Sequence, residues 1–214
     1  MGRVKASRRT AIGSDPKEEK GAGTKRSPET KPHRRIRYYG DPILKTPAKK
    51  VSELNPSLLS LVEDMERILA EADGLGLAAQ QVGEALAIAV LNLEGFEEKD
   101  EGLLADGKTL VLINPEIAEE EGEITDEEGC LSFPGLYVNL TRPERVVVSA
   151  QRLIRDRTLP VEIEAKGLFA RALCHEIDHL NGVLIIDRLS PFARVRALTQ
   201  WRLKLAEALE EREE

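Results

Sequence analysis

An α+β fold is predicted for this chain by three observations: a long amphipathic segment near residue 60, a central group of β-rich runs, and a return to helical spacing after residue 168. The first segment, "LNPSLLSLVEDMERILAEADG", puts Leu58, Leu61, Val62, Met65, Ile68, Leu69 and Ala72 on one helical face. Asn55-Pro56 starts it and Gly74 ends it. The runs "ALAIAVLNL", "TLVLINPEI", "RVVVSAQRLI" and "LPVEIEA" follow as strands, and in the last Val161, Glu162, Ile163 and Glu164 alternate strictly. Leu168 to Leu180 forms a second helix, stopped by Asn181-Gly182, a pair suited to a left-handed cap. Ser190 to Glu214 reads as a last amphipathic helix with Val195, Leu198, Trp201, Leu203, Leu205 and Leu209 as its apolar candidates. Mixed or antiparallel strands packed around the helix of residues 168–180 are therefore expected, with no internal repeat.

A length of 214 residues fits one domain with appendages. Hydrophobic residues make up 41% of the chain, yet no run approaches the roughly 18 apolar residues of a membrane span, and no apolar stretch follows the charged N-terminus as a secretory signal requires. Charge divides the chain. Residues 1–35 hold 11 Lys+Arg against 4 Asp+Glu, net +7; the chain totals of 31 and 38 leave 20 against 34, net −14, for the rest. With Val4 and Ile12 nearly its only large apolar residues, the segment 1–35 cannot build a core and is expected to be a basic, disordered tail before a catalytic domain at 36–189 and a C-terminal helix at 190–214. A solvated tail without a specific role is the plainest reading. Weak contact with RNA or an acidic membrane is another, and an organelle transit peptide a third, against which Asp15, Glu18, Glu19 and Glu29 count. No specific nucleic-acid site and no membrane attachment are expected beyond that. Two cysteines, Cys130 and Cys174, suit a reducing, cytoplasmic setting; a disulfide between them is the alternative.

Chemistry concentrates in "CHEIDHLNG", residues 174–182. Residues four apart share a helical face, so His175 and His179 can meet one point in space, with Glu176 about 100° round the axis. H-E-x-x-H on a helix is a general zinc-hydrolase pattern. Only three histidines occur in the whole chain, and two of them lie in this turn. A catalytic metal also needs a third protein ligand and an open position. With no third histidine in the folded part, that ligand must be a carboxylate or a cysteine: Cys130 in "EEGCLSFPG", or Cys174, whose place beside His175 turns it off the shared face and toward packing. A third stretch, "GLGLAAQQVG" at 74–83, combines glycines and alanines that let another backbone approach with glutamines that add amide donors. It lacks the lysine of a phosphate loop.

Taken together, Gly-Leu-Gly-Leu-Ala-Ala-Gln-Gln at 74–81, Glu-Gly-Cys-Leu-Ser at 128–132 and His-Glu-Ile-Asp-His at 175–179 resemble the three signature motifs of peptide deformylases, in order and spacing, over roughly Ile36 to Leu189. The resemblance implies an α+β fold, one Fe2+ per chain with Zn2+, Ni2+ or Co2+ as substitutes, and removal of the N-formyl group from the formyl-methionine of new polypeptides near the ribosome. Matched by position, Cys130, His175 and His179 would be metal ligands and Glu176 the general base. Gln81 and the Leu131 backbone N–H would steady the oxyanion; Gln80 falls at a variable place. Glu128 and Arg142 would support the metal-binding cysteine from behind. The peptide would lie extended along Gly76 and Gly129, and Leu75, Leu131, Leu168 and Ala172 are candidates for gripping the methionine side chain. Gly135 to Leu140 lacks the basic residue some members carry at the mouth of the site. A zinc endopeptidase, or a module with a closed structural metal, remain the rival readings of the H-E-x-x-H turn alone.

Overall fold

The computed structural model describes residues 34–97, 103 and 107–210, the last four as backbone only. The tail expected over residues 1–35 falls outside the described residues as far as residue 33. Helix α1 spans Pro56–Glu71, begun by Asn55, whose side-chain oxygen accepts from the Leu58 N–H at 2.9 Å, with Pro56 at a position whose N–H has no helical partner. Its end departs from the expectation. The left-handed residue is Asp73 (φ 50°), and the N–H groups of Asp73 and Gly74 return to the carbonyls of Ala70 and Leu69. Gly74 is small for another reason: a Cβ there would stand 2.9 Å from both Leu131 Cδ1 and Leu69 Cδ1.

Seven strands follow: β1 Gly76–Ala78, β2 Ile88–Asn92, β3 Thr109–Glu121, β4 Ile124–Gly129, β5 Tyr137–Arg142, β6 Arg145–Ile154 and β7 Arg157–Lys166. Five form an antiparallel sheet in the order β1-β2-β3-β6-β7, and β4 and β5 pair by themselves. The four runs predicted as strands correspond to β2, β3, β6 and β7. Strand β3 carries Pro115 because its register with β6 shifts between Ile113 and Glu116. Asn114 takes the left-handed conformation there (φ 52°), and its amide exchanges two 2.8 Å bonds with the Val51 backbone.

Strand β2 and the first half of β3 are buried on both faces by alternation. Val90, Val111 and Ile113 point toward Leu61, Met65 and Leu69 of α1, while Leu91, Leu110 and Leu112 point toward Phe169, Leu173 and Ile177 of the next helix. That helix, α2, spans Gly167–Leu180 and is buried from Phe169 onward. It ends as predicted: Gly182 is left-handed (φ 72°), with Gly182 N–H on the His179 carbonyl and Val183 N–H on that of Asp178. A Cβ on Gly182 would approach the Lys45 carbonyl oxygen to 2.6 Å, and that oxygen is backbone. Gly182→Ala is therefore expected to destabilise by about 2 kcal/mol or more, read as a lowered thermal midpoint, from the left-handed penalty and the clash together.

Helix α3, Pro191–Glu210, packs through Trp201 against Tyr39 and Phe133, and Trp201 Nε1–H donates to the Pro134 carbonyl at 2.8 Å. Leu198 and Leu205 also turn inward. Val195 and Leu203, expected on the apolar face, are instead 65% and 59% exposed. A single helix contacting the body along one narrow line cannot bury all the apolar residues its composition offers. The Leu209 side chain lies outside the described residues.

Candidate metal centre

Helix α2 is enclosed, so its polar residues need internal partners. Arg171, His175 and Asp178 lie at i, i+4 and i+7, one stripe that faces the β4–β5 pair. His175 Nδ1–H donates to Glu128 Oε1 at 2.7 Å. Arg142 grips the same carboxylate with Nε to Oε2 at 3.0 Å and Nη2 to Oε1 at 2.6 Å, and reaches Asp178 with Nη1 at 2.6 Å. Arg171 Nη1 adds a 3.0 Å bond to Glu128 Oε2, and Arg188 closes on Asp178 from outside. Burial alone would raise the Glu128 pKa; the hydrogen bonds from His175 and Arg142 outweigh it and hold the carboxyl well below the usual carboxylate range.

With Nδ1 engaged, His175 turns Nε2 inward, 3.2 Å from His179 Nε2. Cys130, the residue after β4, brings Sγ to 3.3 Å from His179 Nε2. The three ligand atoms lie within 4.8 Å of one another, a spacing one cation with bonds of about 2.0–2.3 Å can bridge. This sulfur and two imidazole nitrogens suit a divalent transition metal. Among the described residues no other His, Cys, Asp or Glu cluster of this kind occurs. Burial disfavours charge on both rings: His179 is held well below its ordinary value, whereas the neighbouring Cys130 side chain, the hydrogen bond to Glu128 and the nearby Glu176 outweigh burial and drive His175 upward. Both cysteines are free, so the disulfide alternative is excluded. Cys174 packs in the core beside Phe169 and Leu173, and burial pushes its thiol up to about 11.

Glu176 lines the same space, 3% exposed, and burial pushes its carboxyl up to about 7. Its Oε2 meets no hydrogen-bond donor of the protein. The Glu176 carboxylate lies so close to Gly76 that a Cβ on Gly76 would overlap it. Gly129 is likewise bounded by the Tyr137 ring, 2.7 Å from where its Cβ would stand. Gln81 is fully enclosed. Its Oε1 accepts from Ala78 N–H at 2.9 Å, which orients Nε2 toward Ser132 Oγ (3.2 Å) and Cys130 Sγ (3.7 Å). Gln80 is also buried, but its Nε2 faces the Thr46 carbonyl at 3.4 Å.

Gln81, Glu128, Cys130, His175 and Glu176 open onto a cavity of about 510 Å³. Leu75, Gly76, Gly129, Leu131, Leu168 and Ala172 all line it. Ala172 is buried, Leu168 stands half-exposed at the rim, and Leu131 also packs against the α1 core. Sequence reasoning placed Glu128 and Arg142 together but missed Arg171, Asp178, Arg188 and Ser132. The stripe Arg171-His175-Asp178 on an otherwise apolar helix was the signal for two of them.

An α+β domain with a Cys-His-His set converging beside a buried glutamate is the framework of a candidate metallohydrolase. The family described as polypeptide deformylase matches residues 33–195. Peptide deformylase from Thermodesulfovibrio yellowstonii is 46% identical over 160 residues, 74% of this chain and 90% of that one. The enzyme from Dictyoglomus thermophilum is 48% identical over 155 residues, covering 72% and 92%. Among solved structures, a peptide deformylase from Legionella pneumophila superposes with a TM-score of 0.70 at 39% identity, over 82% of this chain and 97% of that one. One from Synechococcus elongatus, solved in complex with actinonin, gives 0.67 at 39%, over 80% and 87%. The chain belongs to the polypeptide deformylase family, hydrolases that take the N-formyl group from nascent polypeptides.

Proposed function

We propose that this chain releases formate from N-formyl-methionyl polypeptides by metal-assisted hydrolysis, with Cys130, His175 and His179 as the ligands and Glu176 as general base. The convergence of Cys130 Sγ and the two Nε2 atoms, beside a carboxylate that meets no other donor, carries the reading. A divalent ion held there would act as a Lewis acid and bring a water toward ionisation at neutral pH. Glu176 Oε2 takes the proton of the attacking water and later hands it to the leaving amine. In the metal-free protein its buried setting raises its proton affinity above that of an ordinary carboxylate. Gln81 Nε2 and the Leu131 backbone N–H donate to the oxygen of the formyl group as charge develops on it, each such donor contributing about 3 kcal/mol.

The substrate lies extended between Gly76 and Gly129. Strand β1 closes one edge of its sheet and β4 has only β5 beside it, so each offers an unpaired edge to an added strand. The methionine side chain enters the apolar space near Leu75, Leu131, Leu168 and Ala172. Fe2+ is the proposed ion, with Zn2+, Ni2+ or Co2+ as replacements; nascent chains near the ribosome in the cytoplasm are the proposed partners. Among the described residues no helix is long and apolar enough to cross a membrane.

Anaerobically purified, iron-loaded protein is expected to release formate and a free amine from formyl-Met-Ala-Ser. Cleavage of internal peptide bonds without formate would overturn the proposal. Cys130→Ser is expected to lose iron at least tenfold more readily in a chelator titration, because a hard hydroxyl replaces a soft thiolate. Iron retention equal to wild type would remove Cys130 from the ligand set.

A further inference from the structure

We infer that Arg171 is a positioning residue that holds the strand pair carrying Cys130 against the helix carrying the two histidines. The inference rests on the metal-ligand reading above. Arg171 is 4% exposed and precedes His175 by one turn of α2. Every hydrogen bond of its guanidinium ends on the β4–β5 pair: Nη1 on Glu128 Oε2 (3.0 Å) and the Leu140 carbonyl (3.1 Å), Nη2 on the Ile124 carbonyl (3.0 Å).

Where these bonds run decides what they do. Glu128 and Arg142 both belong to the strand pair, so their bidentate contact fixes the carboxylate within that pair. Arg171 and His175 both belong to α2, so the Arg171–Glu128 contact fixes the strand pair relative to the helix. Cys130 follows the last residue of β4. A shift of β4 along α2 would therefore move Sγ away from the imidazoles and Glu128 Oε1 away from His175 Nδ1 in a single motion. The Arg142–Asp178 contact secures the strand pair nearer the C-terminal end of α2, and Arg171 secures it one turn before the first ligand. Burying a guanidinium carries a desolvation cost that an apolar residue of similar volume would avoid. A planar fork that bonds one carboxylate and two carbonyls together is what this junction gains in return.

The test uses Co2+ as the bound probe in the full chain and follows its release into excess chelator. Groups that orient a ligand typically alter metal affinity 10–100-fold. Arg171→Met is expected to release Co2+ about tenfold or more faster than wild type, and Arg171→Lys, which keeps a charge but not the fork, to fall between. Placed in a Glu128→Gln background, Arg171→Met should add a clearly smaller factor than in the wild type, because the contact with Glu128 is already weakened there and only the two carbonyl bonds remain to be lost in full. Acceleration by the same factor in both backgrounds would mark a general loosening and overturn the inference, as would release at the wild-type rate. Should Arg171→Met fail to fold, Arg171→Lys is compared across the same two backgrounds. Wild type that binds no Co2+ would instead strike the metal-ligand reading beneath.

Discussion

Glu176→Gln is expected to lose about 10³-fold or more in kcat/KM while still binding the metal, and to make the metal-free protein more stable at neutral pH. The catalytic loss follows from removing the proposed base beside the Cys130-His175-His179 cluster, which in the proposed mechanism both accepts and delivers a proton; each such role contributes about 10²–10⁴-fold. The stability gain follows from burial. The unfolded chain releases this proton near the ordinary value of 4.5, whereas the folded protein holds it until about pH 7. Between those values the folded state binds more protons, so wild-type stability falls as pH rises through the window, by about 3 kcal/mol at its upper end. Glutamine keeps the shape and carries no such penalty. Urea unfolding of both metal-free proteins should coincide near pH 4 and separate at pH 8, with the variant ahead. Turnover near the wild-type level would show that Glu176 is not the base, and a variant weaker at pH 8 would show that it is not electrostatically strained.

Arg142→Met is expected to cost about 3–5 kcal/mol at pH 7, the usual effect of removing one partner from a buried ion pair. Arg142 bridges Glu128 and Asp178, both almost fully enclosed, and its loss leaves two carboxylates short of positive charge. The dependence on pH carries the diagnosis. Glu128 is held below its ordinary range, so the stability it contributes is present above about pH 4.5 and fades as pH falls. Below about pH 4.5 the unfolded chain takes up the Glu128 proton while the wild-type fold resists it, so wild type loses stability faster than the variant, whose Glu128 lacks Arg142 and protonates more readily. The penalty of the variant should therefore shrink between pH 7 and pH 3. An equal penalty at pH 7 and pH 3 would mean that Arg142 stabilises by packing and not by charge.

Much of this architecture is legible in the order of residues. The period of Leu58-Leu61-Val62-Met65 requires α1, and Asn181-Gly182 requires the end of α2, because each signal is local and concerns apolar spacing or backbone conformation. Strand β5 was not among the predicted runs: Val138, Leu140 and Arg142 are buried while Tyr137, Asn139 and Thr141 are not, but the arginine at the third inward position disguises that alternation. Strand β4 was hidden more deeply. "ITDEEG" reads as an acidic surface run, and only the partners brought by α2 and β5 make Glu128 an interior residue. The exposure of Val195 and Leu203 was hidden for the converse reason: their apolar character says nothing about how narrow the contact line of α3 is. For the site, three short motifs pointed to the proposed ligands, but Arg171 and Arg188 matter through partners distant in sequence, Glu128 43 residues from the first and Asp178 10 from the second.

X-ray absorption spectroscopy of the iron-loaded protein tests the central claim most directly. It should find one sulfur at about 2.3 Å and two imidazole nitrogens at about 2.0–2.1 Å on a single ion, with the sulfur lost in Cys130→Ser. An ion bonded only to nitrogen and oxygen in the wild-type protein would contradict the account.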